Sequence, residues 1–393
     1  MSSVQLPPFQ GVTVTVRAIN TGGKLICPSD TLVQPRIEGH EIFNLPNIAF
    51  LIEHGPSKTK VLFDGGVRKD FQNFSPAGMR QLLKCVPDMH APFDVRDVLD
   101  RAGYDCDNLT SLIWSHHHWD HIGDATRFPD HCEIVVGPGF KKAFLPGWPV
   151  NQDSPLLEQD FANKALREID FGIDGCAIGG FNAVDFFGDG SFYLLDTPGH
   201  SIGHMCGLAR TDEQHFVFMG GDICHFPGSF RPTSRFPMPD PLPEDASLDP
   251  HFTRPCPASV FTCCHPAGQE GGRLKPYYSV SRYEKTIYDN PGLADSSVER
   301  LSNFDASPNV LVAIAHDPAI AAYIPTIDQP GRERSSINNW KAQGLKERCH
   351  WDFLNELPQN GKPGRPKLVD GYECAGQKYR FDFDAMTLRA DQN

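Results

Sequence analysis

The strongest chemical signal in this sequence is the run Ser115-His116-His117-His118-Trp119-Asp120-His121. Residues 109–115 are mostly apolar, which predicts a short buried strand that leads directly into the run. In an extended chain, side chains two positions apart point to the same side, so His116 and His118 can approach one metal ion together. Where the chain then turns into a helix, Asp120 and His121 swing toward a neighbouring position. Imidazole and carboxylate groups suit zinc, manganese or iron, so the run predicts a metal site at the end of a strand.

Three more predicted strands end close to side chains that can bind metal. Functional groups tend to gather where the strands of a rigid sheet end. We therefore expect these side chains to join the histidine-rich run at one edge of a sheet. The strands and the residues that follow them are 192–196 with His200, 216–219 with Asp222, and 310–315 with His316.

The last ligand of this set has a second candidate. His265 follows a proline-rich stretch and a short apolar segment, and it could take the place of His316. We prefer His316, because a cleaner predicted strand delivers it. Two other histidines are interpreted as supporting groups: His117 faces away from its two neighbours by alternation, and His204 lies just beyond a predicted ligand.

The order of these residues resembles that of the metallo-β-lactamase superfamily, and the likeness covers about residues 12–320. The resemblance implies an α/β protein with the αβ/βα four-layer sandwich of the metallo-β-lactamase fold, in which two mixed sheets face each other and metals bind at one edge. It also implies two zinc ions per subunit, with Mn²⁺ or Fe²⁺ as alternatives. Asp64 lies where the superfamily carries a structural aspartate. The resemblance assigns His116, His118 and His200 to one metal, Asp120, His121 and His316 to the second, and Asp222 to both.

Several positions of this sequence differ from those of particular branches of the superfamily, and these differences indicate which branch the sequence resembles most. Class B β-lactamases typically carry cysteine at the position of Asp222, and flavodiiron proteins carry glutamate at the position of His118. Residues 197–204, Thr-Pro-Gly-His-Ser-Ile-Gly-His, look like the lactonase branch. That branch carries a tyrosine three positions after the bridging aspartate, where this chain has His225. The whole chain also looks like fungal γ-lactamases that open benzoxazolinone-type compounds.

The resemblance implies a dinuclear zinc hydrolase that opens a small cyclic amide or ester, a lactam or a lactone. Asp120 would orient the attacking hydroxide or pass a proton to the leaving group. His225 would hydrogen-bond the oxyanion or the leaving atom, or would only support the ligands. The alternatives are a thioester hydrolase, similar to glyoxalase II or a polyketide thioesterase, and a mononuclear iron persulfide dioxygenase.

Composition argues against several partners. The 393 residues include 49 acidic and 36 basic ones, and a formal charge of −13 is atypical of a general nucleic-acid or anionic-membrane binder. The twelve cysteines form no Cys-x-x-Cys pair, and the sequence has neither a signal-like start nor an apolar run of about 20 residues. These features predict a cytoplasmic protein with reduced thiols and no membrane segment. The resemblance implies a small-molecule carbonyl substrate. The composition leaves the oligomeric state open.

One metallo-β-lactamase-like domain is expected over residues 1–393. Ten of the 34 prolines lie within residues 226–275, so this segment is expected to form a Pro-rich insertion that covers the metal site. Residues 320–393 are expected to form a C-terminal helical extension, with a helix over 338–354 and a possible terminal strand over 378–382.

Apolar side chains in or beside the insertion allow two interpretations. They could wall a substrate pocket over the metals, or they could pack the loop onto the sandwich, which is the commoner outcome. Arg231 and Arg235 are interpreted as surface charges rather than as partners of a carboxylate. The apolar side chains are Phe226, Phe230, Phe236, Met238 and Phe252.

Overall fold

The structure is a computed structural model that describes residues 4–173, 175–329, 335–382 and 387–391. Most of its strands belong to two large sheets. The strands are β1 (Val14–Pro28), β2 (Val33–Gln34), β3 (Ile42–His54), β4 (Thr59–Phe63), β5 (Asp88–Ala91), β6 (Leu109–Ile113), β7 (Glu133–Val136), β8 (Leu166–Glu168), β9 (Cys176–Ile178), β10 (Phe181–Asp185), β11 (Phe192–Asp196), β12 (Met205–Arg210), β13 (Phe216–Met219), β14 (Ser279–Val280), β15 (Val310–Ala313), β16 (Tyr372–Cys374), β17 (Gln377–Asp382) and β18 (Thr387–Ala390).

The helices are mostly short. Two of the longer ones begin where the sequence supplies a cap: Ser75 and Asn290 each accept a hydrogen bond from a backbone N–H of the first turn, and a proline follows each. Within the described ranges, no helix is both long enough and apolar enough to cross a membrane. The helices are α1 (Ser29–Leu32), α2 (Pro76–Cys85), α3 (Val95–Arg101), α4 (Trp119–Ile122), α5 (Phe140–Phe144), α6 (Ser259–Thr262), α7 (Gly268–Gly272), α8 (Pro291–Asp305), α9 (Pro318–Tyr323) and α10 (Leu345–His350).

The larger sheet runs in the order β18-β17-β16-β5-β1-β3-β4-β6-β7-β8. β3 pairs antiparallel with β1 and β4, whereas β4, β6, β7 and β8 run parallel. Neighbouring parallel strands end at the same edge of a sheet, and Phe63 at the end of β4 pairs with Ile113 at the end of β6. The segments that carry Asp64 and the histidine-rich run therefore leave the sheet side by side.

The smaller sheet runs in the order β15-β13-β12-β11-β10-β9. Its strands are antiparallel except for β13 and β15, which run parallel and pair Met219 with Ala313 at their ends. The segments that carry Asp222 and His316 follow these two strands. They therefore also leave their sheet at a common edge.

The two sheets pack face to face around an apolar core. Phe50 and Phe63 from the larger sheet share one buried cluster with Leu194 and Met219 from the smaller sheet. The outer face of the larger sheet packs against α3, and the outer face of the smaller sheet packs against α8. The layers are helix, sheet, sheet and helix, so the predicted four-layer sandwich is confirmed.

The apolar side chains of the Pro-rich insertion pack onto this sandwich. Phe226 and Met238 are buried in a cluster with residues of the larger sheet, and Phe236 and Phe252 pack against that cluster. Phe230 is buried in the cluster beneath α8. The interpretation that these side chains hold the loop on the core is confirmed.

The expected helix over 338–354 is reduced to the six residues of α10. The chain just before it pairs with β1 instead: the Ile337 N–H donates to the Val16 carbonyl over 2.9 Å. The Asn338 side chain accepts a hydrogen bond from the Val16 N–H and donates one to the Val14 carbonyl. This part of β1 pairs with β3 on its other side, so these bonds satisfy an otherwise open sheet edge, which outweighs the local helical preference.

The terminal strand expected over 378–382 is present as β17. With β16 and β18 it continues the larger sheet beyond β5. The division of the chain into one domain, an insertion over 226–275 and an extension over 320–393 stays a prediction.

Arg231 is buried, so its interpretation as a surface charge is wrong. Its guanidinium donates to both carboxylate oxygens of Asp305 at the end of α8, over 3.0 Å from Nε to Oδ2 and 2.6 Å from Nη2 to Oδ1. A charge removed from water requires such a partner, because leaving it unpaired is costly. Arg235 is exposed, as expected. The ion pair ties the start of the insertion to the helix that covers the smaller sheet.

Replacing Asp305 by alanine should lower the free energy of unfolding by about 3–5 kcal/mol, because Arg231 then stays buried without its carboxylate. The matched control is Asp100→Ala, which removes a half-exposed partner of Arg96 on α3. This control should lower the free energy by less than about 1 kcal/mol. Urea denaturation of both variants measures the difference, and equal losses would contradict the importance assigned to the buried pair.

Candidate metal centre

The seven side chains expected to bind metal converge where the two sheets share an edge. They form two groups, and in each group one potential ligand atom per residue lies within 4.8 Å of the others. All are buried except His118, which is partly exposed. The first group is His116, His118, His200 and Asp222, and the second is Asp120, His121, Asp222 and His316.

Asp222 belongs to both groups because its two carboxylate oxygens face in different directions. Its Oδ1 lies 3.0 Å from Nε2 of His121 and 3.0 Å from Nε2 of His316. Its Oδ2 lies 3.4 Å from Nε2 of His200 and 3.6 Å from Nε2 of His116. One carboxylate thus supplies one oxygen to each group.

Three of the histidines have their other ring nitrogen bound to an oxygen of the protein. In a neutral imidazole, the nitrogen that donates carries the only ring hydrogen, so Nε2 of each ring presents a lone pair to its group. This is the arrangement found in metal-binding histidines, whose second nitrogen is held by the surrounding protein. The pairs are His116 Nδ1 with Ser115 Oγ at 3.0 Å, His121 Nδ1 with Asp64 Oδ2 at 2.8 Å, and His316 Nδ1 with the Pro46 carbonyl at 2.6 Å.

Asp64 connects the end of β4 to the histidine-rich run. Its Oδ1 accepts a hydrogen bond of 2.7 Å from the Ser115 N–H, and its Oδ2 accepts one of 3.0 Å from the Ser115 hydroxyl. The same Oδ2 orients His121. The structural role that the resemblance implies for Asp64 is consistent with these contacts.

Two glycines allow the chain after β4 to touch the chain after α4. A Cβ atom on Gly65 would lie 2.6 Å from the Ile122 carbonyl oxygen, and one on Gly123 would lie 2.5 Å from the Gly65 carbonyl oxygen. The Gly65 N–H donates to the His121 carbonyl over 2.6 Å. Only glycine permits this approach, which places His121 against Asp64.

The donor atoms fit divalent cations. His121 Nε2 and Asp222 Oδ1 are buried and 3.0 Å apart, yet neither has a hydrogen-bond partner in the described residues. In the first group, Nε2 of His200 lies 2.9 Å from Nδ1 of His118 and 3.2 Å from Nε2 of His116. Buried lone pairs that crowd together in this way are satisfied by a shared cation, and nitrogen and oxygen donors suit zinc, manganese or iron.

The second group holds two carboxylates, whereas the first holds one, so the second carries more negative charge. Burial alone would lower the pKa of His316, but the carboxylates of Asp222 and Asp120 raise it to about 10. The same carboxylates, with Asp64, hold the pKa of His121 well above its ordinary value against the effect of burial. In the first group, burial lowers the pKa of His118 to about 4. The second group therefore attracts positive charge strongly, and a metal ion bound there displaces protons.

A cavity of about 250 Å³ opens beside the two groups, and the side chains of Asp120, Asp222 and His316 lie in its wall. Burial raises the pKa of the Cys85 thiol in the same wall to about 11, so that thiol stays protonated and behaves as an apolar group. Gln81 and Lys84 of α2 add polar groups. The apolar part of the wall consists of Leu25, Cys27, Leu32, Leu45, Cys85, Val86, Trp119 and Ile287.

This wall differs from the expected cover over the metal site. The insertion over 226–275 was expected to supply it, but the wall is built mainly from β1, β3, α1, α2, residues 117–120 and residues 286–289. The insertion's aromatic side chains are buried in the core clusters, so their apolar surface is already removed from water there. Residues 286–289, which precede α8, and the end of α2 border the cavity.

His225 connects Asp222 with a tyrosine that the sequence did not reveal. Its Nε2 donates to Oδ2 of Asp222 over 3.1 Å, and its Nδ1 lies 2.9 Å from the hydroxyl of Tyr288. Its ring also stacks on His316, with centroids 5.5 Å apart. Tyr288 is 63 residues further along the chain, in a loop without a recognisable motif, so no sequence signal marks it. Both side chains line the cavity.

The structure places His316, and not His265, in the second group. His265 has other partners: its Nε2 donates to the Lys275 carbonyl over 2.9 Å, and its Nδ1 accepts a hydrogen bond from the Ala267 N–H. It lies in the insertion, where both ring nitrogens are satisfied.

His117 and His204 support the site from outside the two groups, as expected. His117 Nδ1 lies 2.9 Å from the Ser201 hydroxyl, and its ring stacks on Phe144. His204 Nε2 accepts a hydrogen bond of 3.0 Å from the Asp222 N–H, which fixes the backbone of the shared carboxylate.

Comparison with known proteins identifies the family. The sequence profile of the metallo-beta-lactamase superfamily matches residues 45–220. The chain is 37% identical over 364 residues to the metallo-hydrolase mfmC of Annulohypoxylon moriforme, covering 89% of this chain and 90% of that protein. It is 36% identical over 371 residues to the gamma-lactamase FDB1 of Fusarium pseudograminearum, covering 91% of this chain and 87% of that protein.

A solved structure supports the same fold. The quorum-quenching N-acyl homoserine lactone hydrolase aligns with a TM-score of 0.51 at 17% identity, covering 82% of this chain and 99% of that one. At this identity the likeness concerns the fold alone, and the two fungal relatives carry the closer relationship. The chain is a metal-dependent hydrolase and belongs to the metallo-beta-lactamase superfamily.

Proposed function

We propose that the chain opens a small cyclic amide or ester, a lactam or a lactone, with two divalent metal ions. Zinc is the proposed metal, with manganese or iron as alternatives. The observation that carries the proposal is the shared carboxylate of Asp222, which supplies one oxygen to each of two ligand groups. Two-metal sites of this kind serve hydrolysis in several enzyme classes.

The two ligand groups defined above would hold the ions. When bound, such ions lower the pKa of water and polarise a carbonyl oxygen. Asp120 belongs to the second group and faces the cavity. Burial would raise its pKa, but the neighbouring His121 holds it below the ordinary value, so Asp120 is ionised. It can therefore accept the proton of the attacking water and pass it to the ring nitrogen or oxygen when the bond to the carbonyl carbon breaks.

His225 is proposed to act mainly through Asp222. Both of its ring nitrogens are engaged, one with Asp222 and the other with Tyr288. Of the two roles considered for it, these contacts favour support of the shared carboxylate over direct contact with the oxyanion. A hydrogen bond of this kind fixes the orientation of a ligand and the electron density on its oxygen.

The substrate is proposed to be small and apolar apart from its carbonyl group. The volume of the cavity and its aliphatic wall favour one or two fused rings. The fungal relative named a gamma-lactamase supports a cyclic amide. A benzoxazolinone-type γ-lactam is the most specific candidate.

Purified protein is expected to contain two metal ions per chain and to hydrolyse five-membered lactams or lactones faster than thioesters. Elemental analysis combined with a panel of lactones, lactams and thioesters tests this expectation. Faster hydrolysis of thioesters would favour a glyoxalase II-like or polyketide thioesterase-like enzyme. A single iron ion together with oxygen consumption would favour a persulfide dioxygenase.

The variant His316→Ala is expected to lose about one of the two metal ions and at least about 100-fold in turnover, because the second group loses one of its four ligands. The variant His265→Ala is the control and should retain both ions. Metal content is measured on both purified variants. Loss of metal from His265→Ala alone would refute the ligand assignment.

The variant His225→Ala is expected to lower kcat about 10- to 100-fold while both metal ions are retained, because Asp222 loses a hydrogen-bond donor. The matched control is His40→Ala, which removes a buried histidine paired with Tyr278 in the same way but away from the cavity. Turnover and metal content are measured together. Unchanged turnover in His225→Ala would remove His225 from the mechanism.

A further inference from the structure

Three side chains on one face of α2 line the cavity. Gln81, Lys84 and Cys85 are three and four positions apart, so they lie on the same side of the helix, and all three are in the cavity wall. Met79 and Leu82 of the same helix are buried in the apolar core. The core therefore fixes α2 by one side, while another side presents an amide, an ammonium group and a thiol to the cavity.

The ammonium group of Lys84 is free to bind a ligand. Its side chain is exposed, and among the described residues neither Lys84 nor Gln81 has a side-chain hydrogen bond or an ion pair. Burial raises the pKa of the Cys85 thiol, whereas the Lys84 ammonium lowers it and the Asp120 carboxylate raises it. Cys85 thus lies within electrostatic reach of both charges. The ammonium group is therefore close to the same space that the metal-binding side chains border.

The acidic side chains of the wall leave Lys84 unpaired. They are Asp120, Asp222 and Asp289, and none of them forms an ion pair with Lys84 in the described part of the chain. The proposed metal ions would neutralise the first two. Asp289 is engaged elsewhere, since its Oδ2 accepts a hydrogen bond of 3.0 Å from the Ile202 N–H. An anion that enters the cavity can therefore pair with Lys84 without displacing a carboxylate of the protein.

A carboxylate matches the donors that α2 presents. Its two oxygens only accept hydrogen bonds, and the Lys84 ammonium and the Gln81 amide both donate them. A charged residue in a largely apolar pocket orients a ligand and gives specificity. The formal charge of −13 repels anions in general, so a preference for an anionic ligand has to come from a local cation.

We propose that Lys84, together with Gln81, makes the enzyme selective for cyclic carbonyl compounds whose ring carries a carboxylate. The inference rests on the proposed function and deepens it: the apolar wall holds the ring system, and α2 binds one acidic substituent on the edge of that ring. The preferred class is γ-lactams, cyclic carbamates or lactones fused to a carboxylated ring. The disfavoured class is the same ring systems without the acidic group.

Ligand binding tests the inference independently of turnover. The probes are benzimidazol-2-one, a cyclic urea that resists hydrolysis, and its 4- and 5-carboxylates, titrated calorimetrically into the metal-loaded full chain at low salt. The wild-type protein should bind the better carboxylate at least about fivefold more tightly than the parent compound, a value between those of an exposed and a buried charged contact. This preference should weaken as the salt concentration rises.

The variant Lys84→Gln should lose about fivefold of this preference, and Lys84→Glu should lose more, while the metal content of both stays unchanged. The matched control is Lys58→Gln, which removes an exposed lysine in the hairpin between β3 and β4, at the end of β4 opposite to the ligand segments. This control should keep the wild-type preference.

Three results would overturn the inference. Equal binding of the parent compound and both carboxylates to the wild-type protein would show that the cavity does not select an anion. A preference that persists in Lys84→Gln would show that other groups attract the carboxylate. An equal loss in Lys58→Gln would show that the total charge of the protein, and not the position of Lys84, determines the preference.

Turnover separates this inference from the proposed function. The ratio of kcat/KM for carboxylated benzoxazolinones to that for benzoxazolinone should exceed one in the wild-type protein and should fall about fivefold in Lys84→Gln. If the ring systems are hydrolysed equally fast with and without the carboxylate, the proposed function stands and the role of Lys84 is refuted. If no cyclic carbonyl compound is hydrolysed, the proposed function is refuted, and the binding preference then decides the role of Lys84 alone.

Discussion

The burial of negative charge at the sheet edge is the constraint on which the rest of the site depends. Around the ring of His121, the carboxylate oxygens of Asp64, Asp222 and Asp120 lie at 2.8, 3.0 and 3.7 Å from its nitrogens. Isolated carboxylates are expensive to remove from water, and the histidines must be neutral to bind metal. Divalent cations resolve both demands, because they neutralise the carboxylates and occupy the lone pairs of the imidazoles.

The fold brings this charge together through two pairs of parallel strands. β4 and β6 in the larger sheet, and β13 and β15 in the smaller sheet, deliver their following segments to one edge. Local contacts then set the positions of the side chains at this edge, such as the close backbone approach that Gly65 and Gly123 permit. These contacts position the site through the two sheets, which is what catalysis by positioned groups requires.

The resemblance to the superfamily implied the sandwich, and strand ends together with alternation predicted that His116, His118, Asp222 and His316 meet at a sheet edge. The sequence was not sufficient where distant contacts decide the structure. Tyr288 reaches His225 through a loop without a motif, and Arg231 is buried because Asp305 lies at the end of a helix 74 residues away. The segment before α10 satisfies the open edge of β1, a demand that its own helical pattern does not reveal.

The cavity wall and the ligand groups come largely from different parts of the chain. Residues of β1, β3, α1, α2 and 286–289 line most of the cavity, whereas the ligands follow β6, β11, β13 and β15. Substitutions on α2 can therefore reshape the space available to a ring without moving an imidazole or a carboxylate. The cavity wall could therefore change at a few aliphatic positions while the metal ligands stay the same, and the aromatic side chains of the Pro-rich segment remain packed in the core.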